Sequence, residues 1–91
     1  MYLVISYDIK SDRRRNKIFK ILKNYGAWIQ YSVFECDIDK KDYLRLRQQL
    51  KAVVDPEDDD SLRFYLLCES CKGKIERIGG ICPRENEAIV I

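Results

Sequence analysis

The 91-residue sequence predicts an α+β fold in the order β-α-β-β-α-β, an antiparallel sheet with both helices on one face. Three observations predict it. β-Branched and aromatic runs alternate with two segments whose apolar residues recur at helical spacing. The length suits one domain, residues 1–91, with a single modest core. Hydrophobic residues make up 46% of the chain, enough for a globular fold and too many for a disordered one.

The elements follow in order. Tyr2 to Tyr7 reads as a strand, with Leu3, Ile5 and Tyr7 on one face and Tyr2, Val4 and Ser6 on the other. Ser11 or Asp12 is placed to cap a helix. Ile18, Ile21, Leu22 and Tyr25 form its apolar stripe, and Gly26 is the expected stop. The stretch "AWIQYSVFECDI" is long enough for two strands joined at Gln30-Tyr31 or for one bulged strand, and the two-strand reading is preferred. Asp39 caps a second helix with Tyr43, Leu46, Leu50 and Val53 on its apolar face, and Asp55-Pro56 ends it. "DPEDDD" reads as a solvated turn, since it lacks the ligand spacing and glycine of a calcium loop. "SLRFYLL" is a further strand, Lys74 to Ile78 a short extended segment, and "AIVI" an extra C-terminal strand at about 87–91. This is the ferredoxin-like βαββαβ plan.

No apolar run approaches the roughly 20 residues of a membrane-spanning helix. Met1 leads straight into strand-like sequence without a basic leader, so a cytoplasmic protein with no membrane partner is expected. Net charge is only +2, but its distribution is uneven. Lys10 to Lys23 holds seven bases and one acid, and Asp55 to Asp60 holds five acids and no base. Such asymmetry suggests an electropositive face for an anionic partner, with a solvated lysine-rich helix face as the alternative. The four cysteines include a CxxC, "CESC", at Cys68 and Cys71. Cys36 and Cys82 are poorly spaced to complete a zinc site, and idle reduced thiols are the leading reading.

Two features carry chemistry. Asp8 ends the first strand, at the sheet rim where loops build sites. Such a carboxylate is either a turn-former or an oxygen ligand for a hard cation such as Mg²⁺. One Asp makes a poor metal site, but a two-fold axis can bring a second Asp8 to it. Arg13, Arg14 and Arg15 then stand at a helix N-terminus, against the helix dipole, an arrangement that suits a bound phosphate. A metal-capable acid beside a phosphate-binding patch serves phosphodiester cleavage or the gripping of a nucleic-acid backbone. A Gly-rich phosphate loop, Ser/His or Cys/His couples, HExxH and the aromatic run of an RNA-recognition sheet are all absent from the sequence.

These residues carry a family resemblance. "YDI" closing strand one, the Arg/Lys-rich helix opening, "YG…IQYSVFEC", "DPEDDDSLRFYLLCESC" and "KIERIG" resemble the Cas2 family of small CRISPR-associated proteins over nearly the whole chain. The resemblance implies a ferredoxin-like homodimer whose C-terminal strand joins the partner's sheet. It implies a role in spacer acquisition beside the integrase Cas1, with duplex DNA, and divalent-metal-dependent (Mg or Mn) endonuclease activity on RNA or double-stranded DNA. The alternative is a non-catalytic DNA-binding scaffold that bridges the integrase. The resemblance makes Asp8 the metal-linked catalytic residue and adds Tyr7 beside the metal position, and Ser32 and Phe34 bordering the cleft, as catalytic candidates, with Arg15 and Lys17 among the basic positions of the first helix. Core packing is the alternative for Tyr7 and Phe34, and a plain strand hydroxyl for Ser32. Relatives often carry a basic residue where Trp28 stands, so either substrate holding is weakened or a base stacks on the indole.

Overall fold

The structure is a computed structural model, and residues 1–80 are described. The chain runs β1 (Tyr2–Asp8), α1 (Asp12–Lys23), β2 (Ala27–Gln30), β3 (Val33–Asp37) and α2 (Lys40–Lys51). A 3-10 turn (Pro56–Asp58), β4 (Ser61–Leu67) and a single helical turn, α3 (Glu69–Lys72), follow. The strands form one antiparallel sheet in the order β2-β3-β1-β4, the ferredoxin-like arrangement.

The period-two pattern of β1 decides which face is covered. Leu3, Ile5 and Tyr7 join Phe34 and Cys36 of β3, Ile18 and Leu22 of α1, and Leu46 and Leu50 of α2 in one buried core. Both helices therefore lie on the same side of the sheet. Each of the four buried helix side chains contributes roughly 1.5–3 kcal/mol by leaving water. Neither α1 nor α2 lies on the opposite face, where Lys72 and Arg77 reach over Tyr2 and Glu35 at one end. By alternation and register that face presents Val4, Ser6 and Asp8 of β1, Val33 of β3 and Arg63 and Tyr65 of β4.

The helix starts follow capping chemistry. Ser11, in extended backbone, accepts from the Arg14 amide at 3.3 Å, and Asp39 accepts from the Asp42 amide at 2.8 Å. Three expectations need correction. Gly26 does not end α1 in a left-handed conformation, because Asn24 caps it with right-handed geometry. Glycine is required there for another reason: a Cβ would stand 2.4 Å from both Cys36 Sγ and the Glu35 carbonyl oxygen. α2 stops at Lys51 with Ala52 as cap, ahead of Asp55-Pro56, which instead opens the 3-10 turn. Lys74 to Ile78 is not a strand. It is tied to the sheet by a side chain, Arg77, which donates to the Tyr2 hydroxyl at 3.0 Å and to Glu35 Oε1 at 2.9 Å. The predicted final strand at about 87–91 lies outside the described residues, as does Cys82. Among the described residues no helix is long and apolar enough to cross a membrane.

Candidate functional site

The site grows from the C-terminal end of β1. Tyr7 points to the helix side and is buried, while Asp8 falls on the opposite face with 69% of its side chain exposed. The only ion-pair partner of Asp8 among the described residues is Lys10, whose Nζ lies 3.2 Å from Oδ2. A pair this exposed is held weakly, so the carboxylate is free to take another cation at little cost.

The turn between β2 and β3 closes on the same spot. The Tyr7 amide donates to the Ser32 carbonyl at 3.1 Å, which seats Tyr31 and Ser32 beside the end of β1. Burial pushes the Tyr7 phenol above its ordinary range, while a hydrogen bond with the Ser32 side chain and the charge of Arg15 pull it back. Arg15 reaches the loop after β1 through Nη2 to the Ile9 carbonyl at 3.0 Å and also pairs with Asp12. The fold thus gathers Tyr7, Ser32 and Arg15 next to Asp8. Phe34 does not border a cleft in the single chain. It is wholly enclosed, with ring centroids at 6.4 Å from Tyr7 and 5.4 Å from Phe19, so it acts on the site by packing against Tyr7.

The arginine cluster divides. Arg13 and Lys17 are exposed and have no ion-pair partner among the described residues. Arg14 is committed inward: Nε lies 2.7 Å from Asp60 Oδ2 and Nη2 lies 2.5 Å from Asp58 Oδ2. An Arg14 bound to two carboxylates is not a spare phosphate donor, which corrects the expectation of a uniform basic patch and of a solvated "DPEDDD" turn. Asp60 is the centre of this arrangement. It is buried and also accepts from the Lys10 and Asp55 amides, at 2.8 and 2.9 Å. The bond from Arg14 holds its carboxyl far below the usual carboxylate range, and the two amides add to the effect against the cost of burial. Sequence reasoning missed this residue. The available signal was the complementarity between the run of bases after Lys10 and the run of acids before Ser61.

Two further residues emerge at the turn. Trp28 is partly exposed, and its Nε1 donates to the Tyr31 carbonyl at 2.9 Å. Tyr31 is 87% exposed and has a φ of 45°. At the other end of the sheet Cys68 caps α3, its Sγ accepting from the Cys71 amide at 3.3 Å; Cys36, Cys68 and Cys71 are all free thiols.

As to a metal, no three His, Cys, Asp or Glu side chains converge among the described residues. One chain does not build a cation cage. The exposed Asp8 fits the part of one oxygen ligand to a hard, largely hydrated cation, and no larger part.

The sequence signature described as "CRISPR associated protein Cas2" matches residues 1–75. The chain belongs to the Cas2 family. The CRISPR-associated endoribonuclease Cas2 2 of Methanospirillum hungatei is 43% identical over 88 residues, 97% of each chain. The crystal structure of Streptococcus pyogenes Cas2 superposes with a TM-score of 0.73 at 30% identity, covering 87% of this chain and all of the other. A chain of a partial Cas6-RT-Cas1–Cas2 complex superposes with a TM-score of 0.70 at 26% identity, covering 99% of this chain and 96% of that one. These Cas2 structures share the ferredoxin-like sheet described above.

Proposed function

We propose that this Cas2 protein is a homodimeric endoribonuclease that takes Mg²⁺ or Mn²⁺ on Asp8, acts on RNA with double-stranded DNA as a second substrate, and works in spacer acquisition beside Cas1. The observation that carries the proposal is Asp8 itself: an exposed carboxylate at the end of β1, a strand paired on both edges. A second copy packed on the face opposite α1 and α2 brings a second Asp8 toward the first and supplies the oxygen ligands that one chain lacks. The name of the Methanospirillum relative, an endoribonuclease, supports the reaction class.

Each residue has a physical part. Asp8 would hold a divalent ion, which would supply Lewis acidity at the scissile phosphate. Arg13 and Lys17 are free to hold the phosphate backbone, and Arg15 sits between them and the loop after β1. Tyr7, buried over Phe34 and bonded through its amide to Ser32, fixes the strand end that aims Asp8. Its raised phenol stays protonated at neutral pH, so it is a hydrogen-bond donor and not a base.

A second reading is favoured by two observations. Among the described residues no group of three potential metal ligands includes Asp8, and a solved relative sits in a complex containing Cas1. On that reading the dimer is a non-catalytic scaffold, and the same basic side chains hold duplex DNA. Asp8→Asn separates the two. The nuclease reading expects cleavage to fall at least a hundredfold while dimerisation and duplex binding persist. Unchanged cleavage by the variant removes Asp8 from the chemistry. Absence of cleavage by the wild type with every divalent ion, with integration still supported by Asp8→Asn, establishes the scaffold.

A further inference from the structure

We infer that Tyr31, on the turn tied to the end of β1, is a stacking platform for an unpaired nucleobase. The inference rests on the reading of this rim as a nucleic-acid site, and it concerns binding, not cleavage.

The backbone supplies the first argument. Tyr31 is one of two non-glycine residues with positive φ among the described residues, at 45°. It opens the two-residue turn of the β2–β3 hairpin, where glycine or asparagine is the favoured occupant. A bulky side chain in the left-handed region is unfavourable, and such residues persist where the side chain serves a site. The second argument is exposure. At 87% the ring gives nothing to the core, so packing does not explain its presence. The third is positioning. The register shifts between Trp28 and Gln30, and the Trp28 indole N–H holds the Tyr31 carbonyl at 2.9 Å. The bulge re-aims the strand end and the indole pins the turn. Trp28 is therefore a positioning residue, with its N–H already engaged, and Tyr31 offers the open ring.

The neighbourhood selects the ligand. The Tyr7–Ser32 backbone bond places the turn next to the end of β1, and Arg15 reaches the loop after β1 through the Ile9 carbonyl at 3.0 Å. Cations that hold a phosphate backbone next to an exposed aromatic ring form the standard pairing for single strands, because every base has a face to stack. Paired bases keep their faces inside the helix, so the ring has nothing to stack on in a duplex.

The test measures the affinity of the full-length protein for a labelled single-stranded RNA and for the same sequence fully paired, with divalent ions chelated. Wild type, Tyr31→Phe and Tyr31→Gly are compared. Tyr31→Gly should bind the single strand about tenfold or more weakly, bind the duplex within about twofold of wild type, and melt no lower than wild type because glycine suits the positive φ. Tyr31→Phe should bind like wild type. Equal affinity of Tyr31→Gly and wild type for the single strand overturns the inference. So does an equal loss on both RNAs, a loss in Tyr31→Phe as large as in Tyr31→Gly, or a loss confined to binding of an integrase partner. If wild type binds no RNA at all, the nucleic-acid reading of the rim fails as well; if it binds and Tyr31→Gly binds equally, only the role of Tyr31 fails.

Discussion

At the scale of single residues, Asp60 and Arg14 show how charge is divided between structure and site. Asp60 joins the loop after β1, the first turn of α1 and the loop before β4 through Arg14 and two backbone amides. Asp60→Asn should lower Tm by on the order of ten degrees, because the buried carboxylate that answers the Arg14 charge is lost. Since the folded carboxyl titrates below the unfolded one, its stabilisation is complete above the unfolded value near 3.9 and is lost as pH falls through the lower folded value. Urea midpoints between about pH 5 and 2.5 should fall less steeply in Asp60→Asn than in wild type; equal slopes would show that other carboxylates govern acid unfolding. Arg13→Ala and Lys17→Ala should each reduce the salt slope of log K for duplex binding by about 0.9, whereas Arg14→Ala should chiefly destabilise the fold. A salt titration combined with a melting curve separates the three. Among the thiols, burial pushes Cys36 up to about 12, whereas Cys68 is drawn below its ordinary value by the Cys71 amide and thiol. Mass-resolved alkylation at neutral pH should label Cys68 first and Cys36 last.

At the scale of elements, the hairpin and its approach to α1 set the geometry of the rim. Gly26 allows the end of α1 to pass over β3, and Gly26→Ala forces a Cβ into Cys36 Sγ and the Glu35 carbonyl. Chemical denaturation of Gly26→Ala should show a loss of about 1–3 kcal/mol; a stability equal to wild type would mean that the backbone there yields freely. The order of elements was legible because it rests on local pattern: alternation in β1 and β4, helical spacing in α1 and α2, and caps at Ser11 and Asp39. Asp8 was legible too, as a polar residue that ends an apolar strand. The pairing of Arg14 with Asp60 was not, since 46 residues separate the partners and only the tertiary fold brings them together. Gly26 was assigned to a turn because a close approach between segments leaves the same sequence mark as a left-handed cap. Phe34 carried a site expectation from its motif, but the period-two pattern that buries Ile5 also buries its cross-strand neighbour Phe34.

At the scale of the whole molecule, one side of the sheet is covered by helices, and the other presents Val4, Val33 and Tyr65 together with Asp8. On the proposed reading, the exposed strand residues and the Asp8 carboxylate are answered by the same partner, a second copy. Light scattering at micromolar concentration should give the mass of a dimer. The shared site is tested most directly by mixing. Wild type and Asp8→Asn are refolded together in equal amounts, so that random pairing leaves about a quarter of the dimers with two intact Asp8 residues. If the divalent ion sits between the two carboxylates, metal-dependent RNA cleavage by the mixture should be about a quarter of the wild-type rate. A rate of about half, tracking the fraction of wild-type chains, would show that each Asp8 acts alone and would contradict the shared site.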